Sequence, residues 1–430
     1  MCKVNNEEAL WRSKISMVVA LRQLPDSLAP LTVPKLRRLL FAQIPSDLAD
    51  WLDFVALSAL VAFQWQLGPV AVASLTLALA LPYVVLAPAV GVLVDRADQR
   101  TLLVASNVIR AISTAAFVLA PNLVVLLGCV VIKSSADALF TPAKQAAIPF
   151  LTTPDRLLAA NSLSHVINQL TKIVGPGLGG VLTAFLDLQQ IFLVNAGLSL
   201  IAALVLFGLP GGLRADHSGT AKGKFGEEFA DGLRHIRRKP VLATAIVVMA
   251  LGYFLIFLYD GLIALLVKEI GLSTAWLGAS IASAGAGGVV GALLLGQFFG
   301  HRDPFQLMIG SGLFGGLLIA VMGHIGRGDI EMSAVSFCAL LFATGLASAG
   351  FFVPYRVVLQ KETPLELLGR VGAVGEGLSA AAMMTAPPLG AALAEFAGIS
   401  APYLISGYAT AFLALSLLVV RRRMGTRDEG

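Results

Sequence analysis

Apolar residues in this chain run in long blocks, and polar residues collect in the short stretches between them. Twelve blocks stand out, at about 39–64, 70–93, 102–121, 122–141, 158–186, 189–209, 241–267, 274–299, 306–325, 332–355, 372–396 and 402–420. Each holds the roughly 17–25 residues a helix needs to cross a bilayer, or somewhat more if it tilts. Run length predicts helices, because strands of a membrane barrel would alternate polarity over about ten residues. Residues 1–36 are mixed and polar. Their apolar run "ISMVVAL" at 15–21 is too short to span and leads into Pro25 and Asp26 with no small-residue cleavage site, so the segment reads as a tail.

The blocks come in two sets. Phe140, Pro142 and Lys144 in "FTPAKQAAIPFLTTPDRLL" fall against Phe352, Pro354 and Arg356 in "FVPYRVVLQKETPLELL", 212 positions on, and Thr153-Pro154 falls against Thr363-Pro364. The stretch "GPGLGGVLTAF" from Gly175 falls against "APPLGAALAEF" from Ala386, with five of eleven positions identical. Such a repeat predicts two pseudo-symmetric six-helix bundles about an axis along the membrane normal, with a substrate site between them near the midplane. The fold class is therefore an all-α integral membrane protein with twelve transmembrane helices. Its predicted parts are an N-terminal tail at 1–36, a first bundle at 37–209, a basic linker at 210–240, a second bundle at 241–421 and a tail at 422–430.

Composition agrees. The 430 residues are 57% hydrophobic and 13% charged, against about 25% charged in soluble domains, and mean hydropathy is +0.82. The three cysteines have neither metal-ligand nor disulfide-framework spacing, so no metal site is expected. Basic residues collect on one side of the alternating spans: Lys35, Arg37 and Arg38, then Arg96 and Arg100, Lys144 and Arg156, Arg302, Arg356, Lys361 and Arg370, and Arg421, Arg422 and Arg423. Seven more lie between Arg214 and Lys239, whereas the intervening connections hold only Lys268 and Arg327. The positive-inside rule places both termini and the linker in the cytoplasm of a cell (inner or plasma) membrane. The net charge of +5 then needs no nucleic acid partner. Phe229, Leu233 and Ile236 have the spacing of an amphipathic helix on the inner leaflet, though a plain charged linker fits equally.

Two motifs carry a family resemblance. "GVLVDRADQR" at 91–100 resembles the G-x-x-x-D-R-x-x-x-R signature between helices 2 and 3 of the major facilitator superfamily, and "GPGLGG" resembles the core of its antiporter motif in helix 5. "FTPAKQAAIPFL", "LLAANSL" and "VLQKETPLELLGRVGAV" resemble the macrolide-efflux and enterobactin-exporter branch. The resemblance implies secondary transport by alternating access. It implies that Gly91, Asp95, Arg96 and Arg100 latch the cytoplasmic gate, and that Gly175, Pro176, Gly179 and Gly180 form the antiporter-motif helix face. A literal G-x-G-x-x-G at Gly175, Gly177 and Gly180 could instead suggest a dinucleotide turn, but that turn needs a preceding strand in a soluble βαβ unit. Small residues spaced by four here predict close helix packing, with Pro176 able to bend the helix.

A charge near the bilayer centre costs about 2.5–3.5 kcal/mol on insertion scales, so each one asks for a role. Asp47, Asp50 and Asp53 in "PSDLADWLDF" share one helix face, and Asp50 falls near the midplane. Asp50 also matches the acid after an S-x-x-G segment in the macrolide-efflux branch, with Ala49 in place of the glycine. Asp50 and Asp53, with Lys133, Asp137 and Arg110, are the proton-coupling candidates. Lys133 and Asp137 can also pair within their own helix. His165, Asn168 and Lys172 give span 5 a polar side, and Asp260 and Glu376 are the notable acids of the second half. Together with Tyr253, Phe257, Phe352 and Tyr355 they are the candidate cavity lining, ion handling falling to the first half and an apolar substrate surface to the second. The expected activity is proton-coupled efflux of small hydrophobic or amphipathic compounds by a monomer, with no enzymatic site and no cofactor beyond a proton gradient. A lysophospholipid flippase of the same fold, suggested by "TPAK" at 141–144, and a passive or uptake facilitator remain as alternatives.

Overall fold

The computed structural model describes residues 30–214, 233–299 and 302–425, and among them there is no strand. The first six helices are α1 (Pro34–Ala59, extended by a π turn Leu60–Gln64), α2 (Pro69–Val85 and Ala87–Arg96), α3 (Gln99–Phe117), α4 (Leu123–Leu151), α5 (Leu157–Leu182) and α6 (Leu188–Phe207). The second six are α7 (Pro240–Phe257, continued by a 3-10 turn Asp260–Leu262 and a helix Ile263–Glu269), α8 (Thr274–Phe298), α9 (Pro304–Arg327), α10 (Ala334–Glu362), α11 (Leu365–Ala397) and α12 (Ser400–Gly425). We call the end that holds residue 34 and the α6–α7 connection basal, and the opposite end distal.

Local chemistry starts and stops these helices. Pro34, Pro69, Pro240 and Pro304 stand in the first turns of α1, α2, α7 and α9, where a missing N–H costs nothing. Side chains of Asp98, Asn122, Asp303 and Ser333 accept from the first backbone N–H groups of α3, α4, α9 and α10. Asp187 and Gln190 form a reciprocal capping box on α6. Gly328 ends α9 at φ 84°, a left-handed conformation that glycine adopts without strain.

Eight of the helices pass as membrane spans on length and apolarity, and α2 makes a ninth if its two segments, bent by 56°, count as one. Among the described residues α1, α3 and α5 do not pass. They carry Asp47, Asp50 and Asp53, Asn107 and Arg110, and Asn161, Asn168 and Lys172. Asp47, Asp50, Asp53, Asn107 and Arg110 turn inward, where they meet polar partners of the same bundle, and Lys172 faces the space between the bundles.

Helix pairing repeats between the bundles. In the first, α1 packs on α5, α2 on α4, and α3 on both α4 and α6; in the second, α7 packs on α11, α8 on α10, and α9 on both α10 and α12. Two further pairs, α5 with α8 and α2 with α11, join the bundles and are exchanged by the same pseudo-twofold. One distal hydrophobic cluster combines Leu57, Leu60 and Phe192 of the first bundle with Leu266, Leu277 and Tyr403 of the second. The basal clusters stay within one bundle each: Leu36, Leu40, Phe140 and Leu206 in the first, Met249, Phe305, Met308 and Leu417 in the second. The bundles are joined distally and separate basally.

The glycine motif shows how close that joint is. Gly175 faces Trp51 Cβ, and Gly179 faces Val55 and Leu52, so this small-residue face packs on α1 inside the first bundle. The contact between bundles is made by the neighbouring face. A Cβ on Gly180 would lie 2.6 Å from the Ala275 carbonyl oxygen, and one on Gly278 would meet the Pro176 carbonyl and the Gly180 backbone. The expected packing role is therefore split between two faces. α5 runs through Pro176 unbroken.

Residues 1–29 and the Phe229 position of the linker lie outside the described residues. Linker residues 233–238 are helical, but Ile236 is buried against Leu242, Ile246, Val371 and Val374. His235 Nε2 lies 3.1 Å from the Glu362 carbonyl oxygen. The described end of this segment thus packs its apolar residue on the second bundle.

Candidate functional site

Five charged side chains from α1, α3 and α4 meet inside the first bundle. Lys133 lies 2.9 Å from Asp50 Oδ1, 3.2 Å from Asp53 Oδ2 and 2.9 Å from Asp137 Oδ2. An ammonium has three protons, and here three carboxylates surround it. The Lys133–Asp137 pair within α4 is present, but as one edge of this larger group. Arg110 pairs with Asp50 through Nη2, and its Nε lies 2.6 Å from Asp137 Oδ1. Arg110 also donates to the Ser46 carbonyl at 2.8 Å and to the Ser46 hydroxyl. Thr114 donates to Asp53 Oδ2 at 3.2 Å.

Exposure separates the members. Asp50 is 35% exposed, while Arg110, Lys133, Asp53 and Asp137 are at 0%, 3%, 1% and 5%. Three carboxylates face two cations, so the fully ionised group carries one uncompensated negative charge. A buried charge needs a partner, and one proton would complete the balance. Asp50 is the member that reaches accessible space. A second polar cluster lies on its basal side. Buried Asp47 accepts from Gln43 at 2.8 Å and Asn168 at 3.2 Å, with buried Lys144 among its charged neighbours. Lys144 also lies 5.6 Å from the centre of the Phe140 ring.

Between the bundles lies a cavity of about 340 Å³, within the size range of small-molecule pockets. Trp51, Phe54, Tyr259 and Phe352 supply aromatic walls, with Lys172 and Asp260 as its two charged groups. Of the other residues expected to line a cavity, Asn168 binds Asp47, and Tyr253 stacks on Phe257 at 5.9 Å and contacts Phe352 at 5.0 Å. Tyr253 and Tyr355 share Glu376 and Arg356 as charged neighbours. Glu376 and His165 are exposed and do not join the charge network.

Arg100 of the basal signature and its neighbour Arg38 make contacts within the first bundle. Arg100 donates to the Phe207 carbonyl at 2.6 Å with its guanidinium 4.6 Å from the Phe207 ring, and Arg38 donates to the Gly208 carbonyl. Both cations thus satisfy orphan carbonyls at the end of α6. The capping carboxylate of α3 is Asp98 and not Asp95, which lies inside the second segment of α2. Asp98 accepts from Thr101 N at 3.2 Å and from Leu213 N at 2.7 Å. Gly91 and Arg96 are exposed. Asp98→Ala removes a cap and a loop anchor together. It should cost about 1–2 kcal/mol, read as a lowered melting temperature of the purified protein in detergent.

Sequence reasoning missed Gln43, Ser46, Asn107, Thr114 and Ser164, and the cavity residues Trp51 and Phe54. A signal existed for two of the helices. Gln43, Asp47 and Asp50 form one stripe on α1, and Asn107, Arg110 and Thr114 form another on α3.

The comparisons agree with this fold. The family description "Major Facilitator Superfamily" matches residues 39–374. An uncharacterized MFS-type transporter of Bacillus subtilis is 28% identical over 395 residues, covering 90% of this chain and 93% of its own. Macrolide efflux protein A of Streptococcus pyogenes is 24% identical over 333 residues, covering 76% of this chain and 81% of its own. Among solved structures, the nucleoside transporter NupG superposes with a TM-score of 0.74 at 11% identity, over 89% of this chain and 98% of its own. A bacterial homologue of the human lysosomal transporter Spinster, inward-facing and unoccupied, gives a TM-score of 0.65 at 15% identity, over 90% of this chain and 95% of its own.

Proposed function

The chain belongs to the major facilitator superfamily, and from that premise we propose that this transporter is a proton-coupled exporter of small hydrophobic or amphipathic compounds. The observation that carries the reading is the group of three carboxylates on two cations with Asp50 alone opening to accessible space. The relatedness to macrolide efflux protein A supports export over uptake. The positive-inside bias supports a cytoplasmic basal end, in a cell membrane with both termini inside. The distal closure and basal separation then correspond to the cytoplasm-open state.

In that state Asp50 is ionised, held by both Arg110 and Lys133, and a compound enters the central cavity from the cytoplasm or inner leaflet. The bundles rock, the distal end opens, and the compound leaves. A proton from outside then neutralises Asp50, which loosens its hold on the two cations and leaves Lys133 to Asp53 and Asp137. The groups around Asp50 that set this balance are Arg110 and Lys133, with Asp47 and Lys144 basally and Tyr83 from α2. Return to the cytoplasm-open state releases the proton to water. A ligand or proton shifts such an equilibrium only through its differential affinity for the two states, and a carboxylate neutral in one and ionised in the other supplies that difference.

Purified protein in proteoliposomes, given an imposed pH gradient and a panel of dyes and antibiotics, tests the reading. Compound movement should follow the gradient and stop with a protonophore. Equal rates with and without the gradient would overturn it.

A further inference from the structure

The central cavity carries one positive and one negative side chain, and neither is spent on a protein partner. Lys172 and Asp260 both line it. Among the described residues neither makes an ion pair within 4.0 Å or a side-chain hydrogen bond. The charged groups that Lys172 feels are Asp47 and Arg356. Asp260 sits in the 3-10 turn that interrupts α7, with Tyr259 and Tyr403 near enough to feel its charge. By contrast, Arg110, Lys133, Asp50, Asp53 and Asp137 inside the first bundle each touch an opposite charge. Asp260 is exposed and Lys172 half-buried, so both charges are presented to whatever occupies the cavity, and a ligand of complementary charge gains a charge-assisted contact with each.

The two groups come from different bundles, Lys172 from α5 and Asp260 from α7. Aromatic walls from both bundles line the same cavity: Trp51 and Phe54 from α1, Phe352 from α10. This arrangement has room for a hydrophobic body and a separate counter-charge for each end of a dipolar head.

We infer that the exporter's cavity selects zwitterionic amphiphiles, the ligand's anionic group on Lys172, its cationic group on Asp260 and its apolar part against Trp51, Phe54 and Phe352. The inference rests on the exporter reading for its place in a transport cycle, but it is a statement about binding and is tested by binding alone. It also gives the ligand a mechanical task. A dipolar molecule bridging Lys172 and Asp260 links the two bundles at the cavity, which a singly charged or neutral compound does not do.

Three probes of one body separate the charges: O-benzyltyrosine, a zwitterion; its methyl ester, a cation; and its N-acetyl derivative, an anion. Binding to the full-length protein in lipid nanodiscs is read by calorimetry and by thermal shift. The zwitterion should bind about tenfold or more tighter than either derivative, the usual cost of one lost charge-assisted contact. Lys172→Gln should bring the zwitterion down to the affinity of the ester, and Asp260→Asn to that of the N-acetyl acid. Lys172→Arg should keep the preference, which separates loss of charge from loss of fold. Equal affinity for ester and zwitterion would overturn the proposal in favour of a cation site, and so would binding of none of the three at millimolar concentration. If the preference fails while gradient-driven transport persists, only this inference falls. If the preference holds while transport ignores the pH gradient, only the proton coupling falls.

Discussion

Asp50→Asn should reduce gradient-driven transport to the rate seen with no gradient, while the protein still assembles. Asparagine keeps the volume and a carbonyl oxygen where Arg110 and Lys133 now find Asp50 Oδ1. It removes the negative charge, so two cations face two carboxylates, Asp53 and Asp137, and the group is balanced without a proton. Nothing then changes protonation between the two states, and the gradient has nothing to act on. Breaking a pair deeper in the group should behave differently. Asp137→Ala leaves Arg110 Nε without its 2.6 Å partner in a fully buried position, an unsatisfied donor that costs about 1–3 kcal/mol, and should lower expression and melting temperature. The check is a proteoliposome assay of Asp50→Asn with and without a pH gradient, beside melting curves in detergent. Wild-type acceleration by the gradient in this variant would remove Asp50 from the mechanism.

Gly278→Val should drive the bundles apart at their distal ends. The added side chain meets the Pro176 carbonyl and the Gly180 backbone, and backbone cannot swing aside as the tip of a long side chain can. Overpacking of this kind costs about 1–3 kcal/mol. The cost falls on the closed distal end alone, because opening that end separates α5 from α8. An equilibrium between the two states would then move by about 5–150-fold. Spin labels at the exposed distal positions Gln189 and Glu331, one on each bundle, should report a longer distance in the variant than in the wild type. An unchanged distance distribution would mean that the crossing has slack the glycines do not reveal. Gly310→Val, at a glycine with open space around it, should leave the distance as it is.

The spans were legible because lipid demands length and apolarity from every crossing, and the repeat was legible because α4 and α10, and α5 and α11, keep matching residues at matching places. Their ends were less so. α4 runs to Leu151 and α10 to Glu362, beyond the apolar runs that mark them, because a helix continues into polar sequence once it leaves the membrane core. The interruption of α7 at Asp260 is equally hidden within one continuous apolar block. At the site, Asp50, Asp53, Arg110, Lys133 and Asp137 could be picked out because charge inside a membrane is expensive, and the structure brings all five together. Ser46 could not, and Gln43 and Thr114 showed only as members of polar stripes, since small polar side chains are cheap in a membrane helix and common there. The cavity had no sequence signal. Trp51, Lys172, Asp260 and Phe352 come from α1, α5, α7 and α10, and only the docking of two bundles makes them neighbours.

The most extensive parts of that docking are two crossings, α5 with α8 and α2 with α11, exchanged by the pseudo-twofold. Two rigid bodies free in space have six degrees of freedom relative to each other. Pinning them at two separate points leaves one rotation, about the line through the pins. While both crossings hold, the bundles can therefore flex only about that line, and the distal end opens only when the two crossings part.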